Sequence, residues 1–291
     1  MDEDDRLAGR FEASRPRLRA MAYRMLGSLS DADDAVQEGW LRLARSDADE
    51  IENLGGWLTT VVARVSLNML RSRRTHREEP LGVRMPDPIV DPADGTDPEH
   101  EALLADSVGL ALLVVLETLT PPERLAFVLH DMFAVPFDQI ASILERSPEA
   151  TRKLASRARL RVQGERTAPD PDLDRQREVV DAFLAAAREG DFAALVSVLD
   201  PDVVLRADFG GGETRELRGA EAVARQARMY SQLGLMVHPA LVNGAVGAVT
   251  TRDGRPFSVG AITVRDAKIV EMDWLADPAR LAELDLTILD G

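Results

Sequence analysis

The chain has 291 residues, 45% of them hydrophobic, and a formal net charge of -15. That apolar content fills a core in each of two or three domains and excludes a disordered chain, and the acidic balance excludes indiscriminate coating of nucleic acid, which needs Lys and Arg to displace counterions. With no cysteine there is neither a disulfide framework nor a thiolate metal site. The four histidines (His76, His100, His130, His238) are scattered, so no metal or other cofactor is expected and a reducing cytoplasm fits. The N-terminus "MDEDDRLAGR" is acidic where a secretory signal is basic then apolar. The longest apolar run, Leu110 to Leu116, is far too short to span a bilayer, so no membrane association is expected.

Residues from about 11 to 77 carry apolar side chains at three- and four-residue spacing and read as helices. In "DADDAVQEGWLRLAR", Ala32, Val36, Trp40 and Leu43 form the inner face, while Asp33, Asp34, Gln37 and Glu38 form an acidic exterior. The stretch from Trp57 to Arg77 contains no Asp or Glu in 21 residues. There Arg64, Asn68, Arg71, Arg73 and Arg74 face away from an apolar surface. An acidic helix feeding a basic one makes a module with one face for a basic protein and one for DNA. Basic charge at a helix C-terminus also complements the macrodipole, so a purely structural reading stands beside it.

Residues 78–99 hold five prolines, two glycines and seven carboxylates against one arginine, and read as a linker poor in core-forming residues. A second helical block spans residues 100–164. Thr120, Pro121, Pro122 and Glu123 give a cap, prolines in the first turn and a capping-box partner for a helix carrying "RLAFVLHDMF". A short helix "FDQIASIL" follows, then the turn "ERS", then "PEATRKLASRARLRV" capped by Ser147. Two helices joined by so short a turn are a helix-turn-helix, whose second helix enters the major groove. Thr151, Arg152, Lys153, Ser156, Arg157, Arg159 and Arg161 offer donors on it; a solvated basic helix in a plain helical hairpin is the alternative. Glu145 stands in the turn where glycine is frequent.

After a break at residues 165–172, residues 173–291 open with helices and continue with "VVLRADF", "LVNGAVGAVTT", "PFSVGAITVRD" and "KIVEMDW", short β-branched runs bounded by Gly, Asp and Pro. Helices followed by strands predict an α+β domain.

Taken together these segments resemble the extracytoplasmic-function (ECF) sigma factors, specifically the ECF41 and SigJ-like type with a fused SnoaL-like (NTF2-like) domain. "DADDAVQEGWLRLAR" is similar to their polymerase-binding helix, "GGWLTTVVARVSLNMLRSRRTHR" to their minus-ten segment, and residues 119–162 to their minus-thirty-five domain. "RMPDP", "DGRP" and "DPARL" sit where that type carries a linker motif and two C-terminal motifs, although Arg84 stands where the linker motif usually has Trp. The resemblance implies two all-α sigma domains (1–77 and 100–164) followed by an α+β, cone-shaped NTF2-like domain (173–291). It implies a non-enzymatic, monomeric initiation factor that binds core RNA polymerase and promoter DNA and is adjusted in cis by its last domain.

On that resemblance Asp33, Asp34, Gln37 and Glu38 meet the polymerase, and Arg64, Asn68, Arg71 and Arg74 meet the minus-ten element, with Trp57 either stacking on an unpaired base or packing as core. Arg152, Lys153, Ser156 and Arg157 meet the minus-thirty-five element. Pro86, Asp87 and Pro88 of the linker, with Asp253, Gly254, Arg255, Pro256, Asp277, Pro278 and Leu281, are the expected regulatory contacts. Asp208, Tyr230, His238 and Trp274 are candidates to line a pocket for a small ligand. A SnoaL-like enzyme with a DNA-binding appendage and a one-component operator-binding regulator are the competing readings.

Overall fold

The computed structural model describes residues 3–46, 51–76, 84–93, 95, 109–164, 170, 172–286 and 289. The chain divides into two compact units, Met1–Glu79 with Glu101–Asp106 and Leu116–Gly164, and Pro80–His100 with Ser107–Val115 and Glu165–Gly291.

The first unit is helical. α1 (Glu3–Leu26), α2 (Leu29–Leu43) and α3 (Leu54–His76) bury Met21, Met25, Leu43, Leu58 and Val62 among themselves. Two ion pairs fasten the bundle at its polar edges: Arg19 holds Asp33 through two nitrogens at 2.7 and 3.1 Å, and Arg73 holds Asp31. Helix α4 (Leu110–Thr118) crosses the division between the units. α5 (Pro121–Phe127) starts as its sequence dictates, the Glu123 carboxylate accepting from the Thr120 N–H at 3.1 Å and its hydroxyl at 2.7 Å. Burial raises the affinity of Glu123 for its proton, but those two bonds together with Arg161 and Arg157 outweigh it and hold the carboxyl below its ordinary range. The helix does not stay α-helical through Phe133 as its pattern suggested. It widens into a π turn over Val128–Met132 and stops at Ala134, whose φ is 55°.

Helices α6 (Phe137–Leu144) and α7 (Pro148–Gly164) complete the helix-turn-helix, and Glu145 takes the left-handed conformation, φ 54° and ψ 48°, that glycine usually supplies. Within this unit the two helical blocks pack on each other. Arg124, 2% exposed, donates to the Arg24 carbonyl at 3.1 Å and to Glu117 at 2.7 Å, and Arg17 donates to the Phe133 carbonyl at 2.9 Å.

The second unit is a seven-stranded sheet in the order β1-β4-β5-β6-β7-β2-β3, antiparallel except for the β2–β7 pair. Its strands are β1 (Val90–Pro92), β2 (Leu199–Asp208), β3 (Thr214–Arg218), β4 (Met236–Val242), β5 (Ala245–Arg252), β6 (Arg255–Arg265) and β7 (Lys268–Leu275). One face packs on α8 (Leu173–Glu189), α9 (Phe192–Val198) and α10 (Ala220–Ser231), with Phe183, Leu195, Val223, Val246, Ile262 and Met272 in a shared core. "LVNGAVGAVTT" is two strands, not one, folded at Asn243 and Gly244 with φ of 51° and 73°. β3 and the first half of β4 escaped the sequence reading because their side chains are polar or exposed.

The stretch expected to be a linker poor in core residues behaves otherwise where it is described. Met85, Ile89 and Val90 are buried, and β1 pairs with Ala240–Val242 of β4. Asn243 closes the edge twice, its N–H donating to the Ile89 carbonyl at 2.8 Å and its side-chain oxygen accepting from the Ile89 N–H at 3.1 Å.

On the helix-packed face, Trp274 of β7 lies flat over Gly260 of β6, where a Cβ would come within 2.2 Å of the indole. Gly260→Ala must displace that ring, and the expected cost is about 1–3 kcal/mol, read as a lower thermal midpoint of the second unit's unfolding.

Candidate nucleic-acid interface and linker latch

Helix α7 buries Leu154, Ala155 and Ala158 and leaves Arg152, Lys153, Ser156 and Arg157 exposed on one broad surface. The other donors offered by the sequence are committed inside the protein. Thr151 is fully buried with its hydroxyl on the Ser147 carbonyl at 3.1 Å, Arg159 pairs with Asp131 at 2.5 Å, and Arg161 pairs with Glu123 at 3.4 Å. The Arg152 guanidinium lies 5.7 Å from the Phe137 ring centroid, which holds it near the start of α6.

On α3, Trp57, Arg64, Asn68 and Arg71 recur at helical spacing and form one stripe, exposed at all but the half-buried Trp57. Arg64 reaches the Ser142 carbonyl of α6 at 3.4 Å. The side chain of Arg74 lies outside the described residues. On α2, Asp34 and Gln37 are exposed, while Asp33 is held by Arg19 and Glu38 by Arg42 at 2.8 Å, so the acidic face is partly neutralised from within. Leu41, 39% exposed beside them, is an apolar contact that charge patterning alone did not flag.

In the second unit, three segments distant in sequence meet at the end of β2. The Asp208 carboxylate, 4% exposed, accepts from the Met85 N–H at 3.1 Å and from Arg280 at 3.0 Å, and its other oxygen accepts from the Gly210 N–H at 3.0 Å. Arg280, in α11 (Pro278–Leu281), also donates to the Met85 carbonyl at 2.6 Å and pairs with Asp87. Asp277 caps α11 by accepting from the Ala279 N–H at 3.0 Å. It lies so close to Gly210, φ 87°, that a Cβ there would fall 2.6 Å from its carboxylate. Pro86 and Pro88 are buried in the same strap, and Leu281 anchors α11 at 3% exposure.

Two sequence expectations change here. Among the described residues, no hydrogen bond or ion pair joins Asp253, Gly254, Arg255 or Pro256 to the strap. Asp253 and Gly254, with φ of 52° and 74°, form the exposed β5–β6 turn, and the glycine beside the latch is Gly210, whose N–H donates to Asp208. Asp208, Tyr230, His238 and Trp274 do not converge on one pocket. Register carries His238 through Val249 and Val259 to Leu275, so Trp274, one residue earlier, faces the other side of the sheet. Asp208 is taken by the strap, His238 contacts the Thr251 hydroxyl at 3.0 Å, and Tyr230 meets Phe257 edge-on. Arg280 and Met85 lie inside the "DPARL" and "RMPDP" motifs without being singled out there, because an arginine after a capped proline and a methionine before one gain meaning only once the strands bring them together.

Comparison with known proteins fits these two units. The Sigma-70 region 2 family matches residues 10–76 and the Sigma-70, region 4 family matches residues 109–162. The ECF RNA polymerase sigma factor SigJ of Mycobacterium tuberculosis is 40% identical over 286 residues, covering 92% of this chain and 91% of SigJ. The probable ECF RNA polymerase sigma factor SigI of the same organism is 33% identical, covering 98% of each chain. The crystal structure of SigJ superposes with a TM-score of 0.75 at 38% identity, over 96% of this chain and 99% of that one. With two helical sigma regions followed by an α+β domain, the chain belongs to the ECF RNA polymerase sigma factors.

Proposed function

We propose that the second unit controls this sigma factor in cis by holding the middle of the linker between its two sigma regions. The observation that carries the reading is the Arg280 latch, which ties Met85 and Asp87 to the sheet through Asp208. As an ECF sigma factor the chain confers promoter recognition on core RNA polymerase and assists strand opening. Two promoter elements named minus-ten and minus-thirty-five lie ~25 base pairs apart, or about 85 Å of B-form DNA at ~3.4 Å per step. A compact unit the size of the first one has a radius of gyration of about 14 Å and is roughly 40 Å across. The contacts of Arg124, Arg17 and Arg64 between its helical blocks therefore belong to a closed state, which opens for both elements to be read at once. A linker fastened at Met85–Pro92 shortens the span available for that opening.

In this reading Asp33, Asp34, Gln37 and Glu38, with Leu41, meet a basic surface of the polymerase in the cytoplasm. Trp57, Arg64, Asn68, Arg71 and Arg74 engage the minus-ten element, and Arg152, Lys153, Ser156 and Arg157 the minus-thirty-five element. The scattering of the four pocket candidates disfavours the enzyme reading, and a one-component regulator leaves the exposed face of α2 without a partner.

Arg280→Ala removes charge-assisted bonds worth ~1.5–3 kcal/mol. The expected result is faster hydrogen exchange across residues 85–92 by about ten-fold or more, together with increased promoter-dependent run-off transcription with purified core polymerase. Unchanged transcription despite a released linker removes the regulatory role. On α7, Arg152→Ala and Arg157→Ala are each expected to weaken promoter binding, and a salt series sorts their roles. Loss of a base contact costs about 1–3 kcal/mol against the cognate element only, whereas loss of a phosphate contact weakens all sequences and lowers the salt slope by about one.

A further inference from the structure

We infer that the end of the second unit where α10 meets the β5–β6 turn is a docking surface for an acidic polypeptide segment carrying large apolar side chains. Six large hydrophobic residues are exposed among the described residues, and four of them lie here: Met229 at 63%, Leu233 at 40%, Met236 at 64% and Val237 at 40%. They lie where α10 runs into the start of β4, which β1 leaves uncovered, with Met236 and Val237 on opposite faces of that edge strand. The Tyr230 ring meets Phe257 at 6.4 Å between centroids, Met236 pairs with Thr251, and Arg252 pairs with Arg255 across the turn. Single exposed apolar residues are ordinary, but four together at one edge of a domain mark a place where something binds.

Charge selects the occupant. Arg228, Arg252 and Arg255 are exposed on these segments and form no ion pair among the described residues, whereas Arg215, Arg218 and Arg225 nearby in sequence are each paired with a glutamate. Across residues 228–237 and 252–257 the one carboxylate is Asp253, in a chain whose net charge is -15. Three unpaired guanidiniums beside an apolar patch complement a segment that is both acidic and apolar. Nucleic acid would leave the two methionines and Leu233 without partners. An anionic bilayer is disfavoured because these segments offer no Trp or Lys to seat in an interface, while Tyr230 and Phe257 are turned toward each other. Methionine pairs well with side chains of varied shape, which suits a peptide partner. Pro239 removes a backbone donor from the part of β4 that β1 leaves uncovered, so the segment is held by side chains rather than added as a strand.

The test uses the purified full-length chain and a short fluorescein-labelled peptide in which glutamates alternate with leucine and phenylalanine, read by fluorescence anisotropy. The expected result is saturable binding that weakens with salt. It should fall about ten-fold or more in Met229→Ser/Met236→Ser and in Arg252→Glu/Arg255→Glu, and be lost when the glutamates are replaced by lysines. Both double variants change exposed side chains and should keep the parental thermal midpoint. The inference is overturned by absence of saturable binding, by equal binding of the lysine peptide, or by indifference to both double variants. Variants that abolish binding to phosphatidylglycerol vesicles while sparing the peptide would overturn it in favour of a membrane surface. The latch plays no part in this site, so a negative result here leaves the proposed control of the linker standing.

Discussion

The carboxylate of Asp208 is the constraint from which the arrangement of the second unit follows. It ends a strand in a nearly water-free position, and a charge so placed must be matched by donors or its burial becomes prohibitive. Its own loop provides one donor, the Gly210 N–H, and the others come from far away in the chain, the Met85 N–H 123 residues before it and Arg280 72 residues after it. The strap and the C-terminal helix are thus fixed by one acceptor, which loses a donor when either of them leaves. Loss of the charge-assisted bonds of Arg280 costs ~1.5–3 kcal/mol, a large share of the stability of an ordinary domain. Gly210 is part of the same constraint, since it combines a left-handed φ with the near approach of Asp277.

The first unit obeys a different logic. Its helical blocks meet through arginine side chains that donate to main-chain carbonyls, Arg124 to Arg24 and Arg17 to Phe133, with the guanidiniums of Arg17 and Arg24 lying 5.8 and 5.0 Å from the Phe133 ring centroid. Contacts of this type are directional and carry less apolar burial than a hydrophobic interface, and a water-exposed guanidinium regains hydrogen bonds when they break. An interface built on them suits two blocks that must hold together in one state and part in another. Arg64 would belong to both conditions, since the side chain on the Ser142 carbonyl lies in the α3 stripe proposed above to engage DNA.

Much of this was legible in the sequence because it is local. The Thr120–Glu123 capping box, the Ser147 cap and the alternation of buried and exposed positions along α7 are set within a few residues, and the helix-turn-helix followed from them. The linker was misjudged for the same reason. Five prolines in residues 78–99 exclude a helix, but they do not exclude an edge strand, where a missing donor is harmless, and Met85, Ile89 and Val90 find their core only against a sheet built from residues after 199. The candidate pocket failed on parity: His238 and Trp274 are on different strands, and only the register through Val249, Val259 and Leu275 reveals that they face opposite sides.

Charge placement gives the last step. The chain is strongly acidic, yet its arginines fall into two populations. Arg19, Arg73, Arg124, Arg159, Arg206 and Arg280 are tied to carboxylates and build the fold; Arg206 alone gathers Asp273, Glu271 and Glu216 within 3.5 Å. Burial pushes the Asp273 carboxyl above its ordinary range while Arg206 pulls it back, so that cluster tolerates little rearrangement. Lys153 on α7 carries no such tie among the described residues and Arg157 acts on Glu123 only from beyond ion-pair distance, and both are exposed. At physiological salt their field extends only about 8 Å, so a phosphate must come nearly into contact before they outweigh the surrounding carboxylates. Basic side chains arranged this way bind DNA weakly at a distance and firmly once another surface has delivered it, which is the electrostatic behaviour a factor acting through a polymerase requires.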